Sequence, residues 1–73
     1  MSEPATIGST VRSRRKELGL RQGDLADLAG VSERFVYGLE HGKETLQLDK
    51  VLAVLAALGL HLEIQRGASG GVR

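Results

Sequence analysis

Four stretches of the chain carry apolar residues at helical spacing, and each is followed by a glycine. In the first stretch Ile7, Val11 and Leu18 recur with basic residues between them, the repeat of an amphipathic helix. Gly19 comes next, a residue suited to a left-handed helix end. The fourth stretch is the most apolar, and its wide stripe predicts a central helix. The spacing predicts helices over 6–18, 22–29, 32–41 and 48–58.

A different pattern follows the fourth predicted helix. Residues 60–64, LHLEI, alternate apolar and polar side chains, as a β-strand does. No second such pattern occurs in the chain, and a lone strand leaves unpaired backbone groups along both edges. We therefore expect this strand to pair with its copy across a two-fold axis, with Leu60, Leu62 and Ile64 covering the helices. The alternative is an extended segment that lies on its own domain.

Composition narrows the class of protein. A chain of 73 residues has room for one small domain, and it contains no cysteine, so disulfides and thiolate metal sites are not expected. No apolar run reaches the roughly 18 residues that a membrane span needs, and the first residues lack the order of a signal peptide. We expect a cytoplasmic protein with a small, marginally stable core, for which association with a partner is a source of stability.

The positive charges are unevenly placed, although the net charge is only +1. The basic residues of the first third are Arg12, Arg14, Arg15, Lys16 and Arg21. Such a cluster fits a phosphate-facing edge or a solvated helix face. The solvated face is the commoner explanation, so the charges alone do not identify a nucleic-acid site.

The second and third predicted helices are joined very tightly. Two helices of about eight residues joined by about three residues form a helix-turn-helix. Ala26 is the small residue that a close crossing needs, and Gly30 tolerates a positive φ in the turn. Ser32 is suited to cap the next helix, because its hydroxyl can accept an amide of the first turn. The apolar residues placed to hold the two helices together are Val31, Val36 and Leu39. A small helical bundle with a glycine turn is the alternative.

This pattern resembles the helix-turn-helix domain of the phage lambda Cro and repressor type, the xenobiotic response element family, over about residues 6–65. The matching residues are Arg15, Gly19, Leu20, Gln22, Leu25, Ala26, Ala29, Gly30, Val31, Ser32, Glu40, Gly42 and Lys43. The continuation TLQLDKVLAVLAALGLHLEI resembles the HipB-like antitoxin branch, where a short strand follows the fourth helix. The resemblance implies a mainly α protein, a four-to-five-helix lambda repressor-like DNA-binding domain with a short C-terminal β-strand pairing across a homodimer.

The domain organisation that follows has four parts. They are a flexible N-terminus over 1–5, the helix-turn-helix domain over 6–59, the dimerisation strand over 60–66 and a flexible glycine-rich tail over 67–73. Three residues depart from the family pattern. Arg21 stands where Ser or Thr usually caps the second helix, and Gly23 weakens the turn that follows. Gly38 lies inside the third helix at a cost of about 1 kcal/mol relative to alanine, and the sequence gives no firm reason for it.

The candidate base-reading residues lie at the start of the third helix, since this part of a helix-turn-helix enters the major groove. They are Ser32, Glu33, Arg34 and, one turn later, Tyr37. Arg34 can pair with guanine and Glu33 can accept from cytosine. The alternatives are a phosphate contact for Arg34 and a helix-dipole interaction for Glu33, and for Glu33 we favour the dipole. The candidate phosphate contacts are Lys43, Arg12 and Arg21, and by resemblance the Gln22 amide contacts a phosphate or the outermost base.

The function expected from these features is a sequence-specific repressor that binds double-stranded DNA. It would act as a homodimer on an inverted-repeat operator and regulate its own gene. The alternative is a HipB-like antitoxin whose main role is to neutralise a HipA-like toxin kinase. By resemblance, Arg15 and Glu40 form a structural ion pair. His41 and His61 lack ligand companions, so we expect no metal and no cofactor, and no arrangement of residues indicates an enzyme.

Overall fold

Four helices form the described part of the computed structural model, which comprises residues 6–64 and 66. In chain order they are α1 (Ile7–Glu17), α2 (Gln22–Ala29), α3 (Glu33–Glu40) and α4 (Leu48–Ala57). Each of the four predicted helices is confirmed. Where a predicted range extends beyond the helix, the additional residue is a cap, as at Thr6 before α1 and Leu58 after α4. The predicted N-terminus over 1–5 and tail over 67–73 lie outside the described residues.

The helix starts differ in how their free amides are satisfied. Ser32 accepts a hydrogen bond from the Phe35 amide at 3.0 Å, so the predicted cap of α3 is confirmed. Arg21 precedes α2 and has no side-chain acceptor to offer, and no side-chain cap forms there. Asp24 replaces half of the missing interaction, because its Oδ2 accepts from the Arg21 amide at 2.9 Å. A capping box has two hydrogen bonds between the cap residue and the third helical residue, and only one of them holds the start of α2.

The turn between α2 and α3 depends on Gly30. Its φ is 73°, in the left-handed region that other residues adopt only at a cost. This conformation lets the Val31 amide donate to the Ala26 carbonyl at 3.0 Å, which closes the end of α2 and redirects the chain. The predicted positive φ at Gly30 is confirmed, and α3 begins immediately beyond the turn.

The core lies where α2 packs against both α3 and α4. Its buried apolar residues are Val11, Leu25, Ala26, Val36, Leu39, Val51, Val54, Leu55 and Leu58. The expectation of a fully central α4 holds for one side only, since Leu48 and Leu52 remain 63% and 43% exposed. The apolar stripe of α4 is wider than the three other helices cover, which leaves an apolar surface on this helix.

A close contact between α1 and α3 occurs at Gly8, which is buried. A Cβ atom at this position would overlap the Leu39 carbonyl oxygen and lie 3.1 Å from the Glu40 oxygen. Both obstacles are backbone atoms, so a larger residue must push the helices apart. No pattern in the sequence indicates this role for Gly8.

We expect Gly8→Ala to lower the free energy of unfolding by about 1–3 kcal/mol, the usual cost of overpacking. The matched control is Gly23→Ala, also in a helix, where a new Cβ would lie 3.4 Å from the flexible Glu33 carboxylate. Because alanine is the better helix former by about 1 kcal/mol, the control should be neutral or stabilising. Urea unfolding of both variants tests this, and equal effects at the two positions would contradict the close contact.

The segment after α4, residues 60–64, has no regular secondary structure, so the predicted strand is not observed in the described part of the chain. The side chains of His61 and Glu63 meet at 3.0 Å, as residues two apart on one face of an extended segment do. On the other face Leu60 packs against the core, whereas Leu62 and Ile64 are 42% and 99% exposed. Within residues 6–64 this segment has no strand partner. None of the described helices is long and apolar enough to cross a membrane.

Candidate nucleic-acid interface

Helix α3 presents two different faces. Val36 and Leu39 are buried in the core, which fixes the helix against its neighbours. Glu33, Arg34 and Tyr37 are exposed, so their polar groups are available to a partner. The residues predicted to read bases therefore lie on the outward face of a helix that is anchored through its inward face.

Tyr37 does not stand alone on that face. The ring of His41, one turn later, stacks on the Tyr37 ring with centroids 3.9 Å apart and planes 22° apart. His41 Nδ1 lies 2.8 Å from the Tyr37 carbonyl oxygen, a geometry in which this nitrogen carries the proton and donates. The stack limits the directions open to the tyrosine ring. His41 is itself exposed, and no pattern in the sequence predicts its contact with Tyr37.

The ends of α1 and α3 are joined by the predicted ion pair. Arg15 Nε and Nη2 lie 2.6 and 2.9 Å from the two carboxylate oxygens of Glu40, and Nη1 donates to the Leu20 carbonyl at 2.8 Å. The Glu40 side chain is 1% exposed and that of Arg15 9%. This bidentate pair confirms the structural role that the resemblance implied for both residues.

The charges in this pair shift the acidity of both partners. Burial of the carboxyl group acts to raise the pKa of Glu40, but hydrogen bonds from Arg15 and Gln22 lower it. The positive charges of Arg15 and Arg12 lower the pKa further, so it lies below its usual value. The hydrogen bond to Glu40 raises the pKa of Arg15, and both groups are ionised at neutral pH.

Gln22 belongs to this network as well. Its Nε2 donates to Glu40 Oε1 at 3.1 Å, which links the start of α2 to the end of α3. A primary amide has two N–H donors and a carbonyl oxygen, so one bond to Glu40 leaves groups for a further contact. The predicted contact of Gln22 with DNA is therefore compatible with this position, and it stays a prediction.

The two sides of the start of α3 differ in charge. Towards α2, a cavity of about 520 Å³ is lined by Asp24, Asp27 and Glu33, and also by Arg21 and Ser32. Towards α4, a cavity of about 200 Å³ is lined by Arg34, Lys43 and Lys50, again with Ser32. The side towards α2 carries acidic residues, Glu33 among them, next to the positive end of the α3 dipole. This arrangement favours the dipole interaction for Glu33. An anion would find the opposite side more favourable.

Three of the predicted site residues share one cavity, and two others lie outside it. Ser32, Arg34 and Lys43 share the basic cavity, together with Lys50, which sequence reasoning did not identify. Arg12 lies close enough to Glu40 to affect its pKa. Arg21 is exposed, and its Nε lies 3.7 Å from Asp24 Oδ2. No pattern in the sequence connects Lys50 with Ser32, because only the tertiary fold, in which α2 packs against both α3 and α4, brings them to one cavity.

Comparison with known proteins agrees with this architecture. Residues 11–65 match the family model described as helix-turn-helix. The chain is 54% identical over 61 residues to the uncharacterized HTH-type transcriptional regulator y4mF of Sinorhizobium fredii, a match that covers 84% of this chain and 80% of the relative. On both grounds, this chain belongs to the helix-turn-helix family of the xenobiotic response element type.

Proposed function

We propose that this protein is a transcriptional repressor that binds an inverted-repeat operator in double-stranded DNA as a homodimer. The observation that carries the proposal is the orientation of α3. Its apolar side is buried while Glu33, Arg34 and Tyr37 face outward from a helix-turn-helix. A recognition helix held in this way can enter the major groove with its first turns. The name of the Sinorhizobium fredii relative, an HTH-type transcriptional regulator, supports the same role.

The homodimer is proposed because the described chain leaves an apolar surface uncovered. Leu62 and Ile64 on the C-terminal segment are exposed, and so are Ile7, Leu48 and Leu52. An extended segment with an unpaired edge is a template for another strand. Pairing of this segment with its copy would place two recognition helices on successive major grooves, about 34 Å apart.

The experiment that tests DNA binding is a gel shift with the DNA upstream of the protein's own gene, at stepped salt concentrations. Retention of an inverted repeat from that region would support an autoregulating repressor. A parallel selection from random-sequence duplexes separates two kinds of failure. Enrichment there without binding upstream would mean a regulator of other genes, whereas no enrichment at low salt would overturn DNA binding.

Two variants separate base contacts from phosphate contacts once a duplex is identified. Arg34→Ala should cost about 1–3 kcal/mol at one or two base pairs and relax discrimination there, since a bidentate arginine–guanine contact is lost. Lys43→Ala should weaken binding to all sequences alike and reduce the salt slope by about 1. Titrations against duplexes with single base changes measure both effects. Uniform weakening by Arg34→Ala would instead assign Arg34 to a phosphate.

The antitoxin hypothesis rests on the resemblance of the C-terminal half to the HipB-like branch. No feature of residues 6–64 favours a toxin kinase over DNA as the principal partner. We therefore keep the regulator as the proposed function. Co-purification with the product of an adjacent kinase-like gene, if there is one, is the observation that would favour the antitoxin.

A further inference from the structure

We propose that Lys50, on α4, is a DNA-contacting residue that completes a pocket for one backbone phosphate beside the recognition helix. The other polar residues that line this pocket are Ser32, Arg34 and Lys43. The inference rests on the proposed function and adds to it a residue and a ligand group. It concerns the cavity of about 200 Å³ between α3 and α4.

The positive charges around this cavity lack the carboxylate partners that some other arginines of the described chain have. Arg14, Arg15 and Arg21 each pair with a carboxylate within the described chain. Among the same residues, Arg34, Lys43 and Lys50 have no such partner. Three like charges around one cavity repel each other. An anion placed among them would relieve that repulsion.

The floor of the cavity is apolar. Phe35 and Leu46 line it and pack partly against the core, and the Lys50 ammonium lies 6.0 Å from the centre of the Phe35 ring. That distance allows a cation–π attraction, which directs the ammonium group towards the cavity.

The Ser32 hydroxyl can make one more hydrogen bond than the α3 cap uses. Its oxygen already accepts from the Phe35 amide in the α3 cap. A hydroxyl has one donor as well as its acceptor lone pairs, so the Ser32 O–H can still donate to a phosphate oxygen. The cavity therefore offers two ammonium groups and a hydroxyl donor. An oxyanion accepts hydrogen bonds from all of these groups.

The occupant we infer is a phosphate of the DNA backbone instead of free phosphate, because of where the cavity lies. Ser32 and Arg34 belong both to the cavity wall and to the start of the recognition helix. A duplex that receives this end of α3 in its major groove brings a flanking phosphate beside it. Contact with Lys50 would then tie α4 to the same strand that α3 reads.

The test is the salt dependence of duplex binding by Lys50→Gln, with Lys16→Gln as the matched control. Lys16 is exposed on α1 and lies outside the cavity. We expect Lys50→Gln to weaken binding about tenfold, the effect of one charge-assisted hydrogen bond. The slope of log K against log salt should fall by up to about 0.9, equally for operator and unrelated duplexes. Lys50→Arg should restore both quantities.

The double variant Lys43→Gln/Lys50→Gln adds a second readout. If both side chains hold one phosphate, their effects should not add, and the double variant should lose about 0.9 in slope and no more. Inorganic phosphate should compete no better than chloride at equal ionic strength. Specific competition by phosphate would overturn the DNA backbone as the occupant.

The failures of the two proposals can be told apart. If the wild type binds no duplex in the random-sequence selection, the proposed function fails. If the wild type binds DNA but Lys50→Gln behaves like Lys16→Gln, the phosphate pocket alone is overturned. Lys50 is exposed, so we expect the variant to fold, and its circular dichroism spectrum verifies this.

Discussion

Replacing Glu40 with alanine is expected to remove a large part of the stability of the domain. The carboxylate is almost fully buried and receives two hydrogen bonds from Arg15, at 2.6 and 2.9 Å. Alanine leaves the guanidinium buried without its counter-charge, which costs about 3–5 kcal/mol. A domain of this length holds about 4–11 kcal/mol in total at the usual stability per residue. Urea unfolding followed by circular dichroism measures the loss.

The control for this variant is Glu17→Ala. Glu17 also pairs with an arginine, Arg14 at 3.2 Å, but the Glu17 side chain is 67% exposed and that of Arg14 39%. Exposed pairs contribute about 0–1 kcal/mol, so the control should be nearly neutral. The double variant Arg15→Met/Glu40→Leu should recover much of the loss, because it removes both buried charges. Equal effects of Glu40→Ala and Glu17→Ala would contradict the structural importance of the buried pair.

The same pair gives the wild type a defined acid sensitivity. The pKa of Glu40 is lower in the folded state than in the unfolded chain, where a glutamate has a pKa of about 4.3. The unfolded state therefore binds the proton first as pH falls. The contribution of Glu40 is fully present above the unfolded pKa and is lost as pH falls through the folded value. Glu40→Leu variants should lack this part of the acid dependence.

The bounds of α2 and α3 could be predicted from sequence because local residues determine them. Gly30 adopts the left-handed conformation that ends one helix, and Ser32 makes the cap that starts the next. Neither feature depends on distant contacts. The Arg15–Glu40 pair was anticipated in a different way, through the resemblance to a family, since nothing in the spacing of the two residues connects them.

The features that sequence did not reveal are contacts between elements. Gly8 lies against the α3 backbone, and a glycine near a helix start carries no mark of such a neighbour. Lys50 reaches the cavity beside Ser32 only through the tertiary fold, in which α2 packs against both α3 and α4. For His41, the spacing of four residues from Tyr37 permits stacking, but it does not decide between a stacked ring and a solvated one.

The network around Glu40 also bears on the proposed interface. Gln22, at the start of α2, donates to the carboxylate that Arg15 holds at the end of α3. Three helices are therefore fixed to one another next to the residues proposed to contact DNA. A binding site on rigid elements keeps its geometry better than one on loops. Loss of Glu40 should consequently weaken DNA binding even under conditions in which the variant remains folded.

Replacing Leu62 with aspartate should convert a dimer into a monomer and strongly weaken operator binding. Leu62 is 42% exposed on the apolar face of the segment after α4, and in the proposed pairing with the same segment of a second copy this face would be covered. A buried carboxylate without a partner is costly, whereas the separate monomer leaves it in water. A monomer binds one half-site at a time, so the loss of the second half-site should reduce affinity by about 100-fold to 10,000-fold. Light scattering and a gel shift measure the two effects.

The control for Leu62→Asp is His61→Asp, which introduces the same group one residue earlier. The His61 side chain lies on the opposite, exposed face of the segment, next to Glu63. Because a shift of one residue along an extended chain reverses the face, this variant should remain dimeric and bind the operator. The comparison separates a specific interface from a general effect of added negative charge. A dimer that survives Leu62→Asp would show that the segment does not form the interface. The exposed side of α4, with Leu48 and Leu52, would then be the next surface to test.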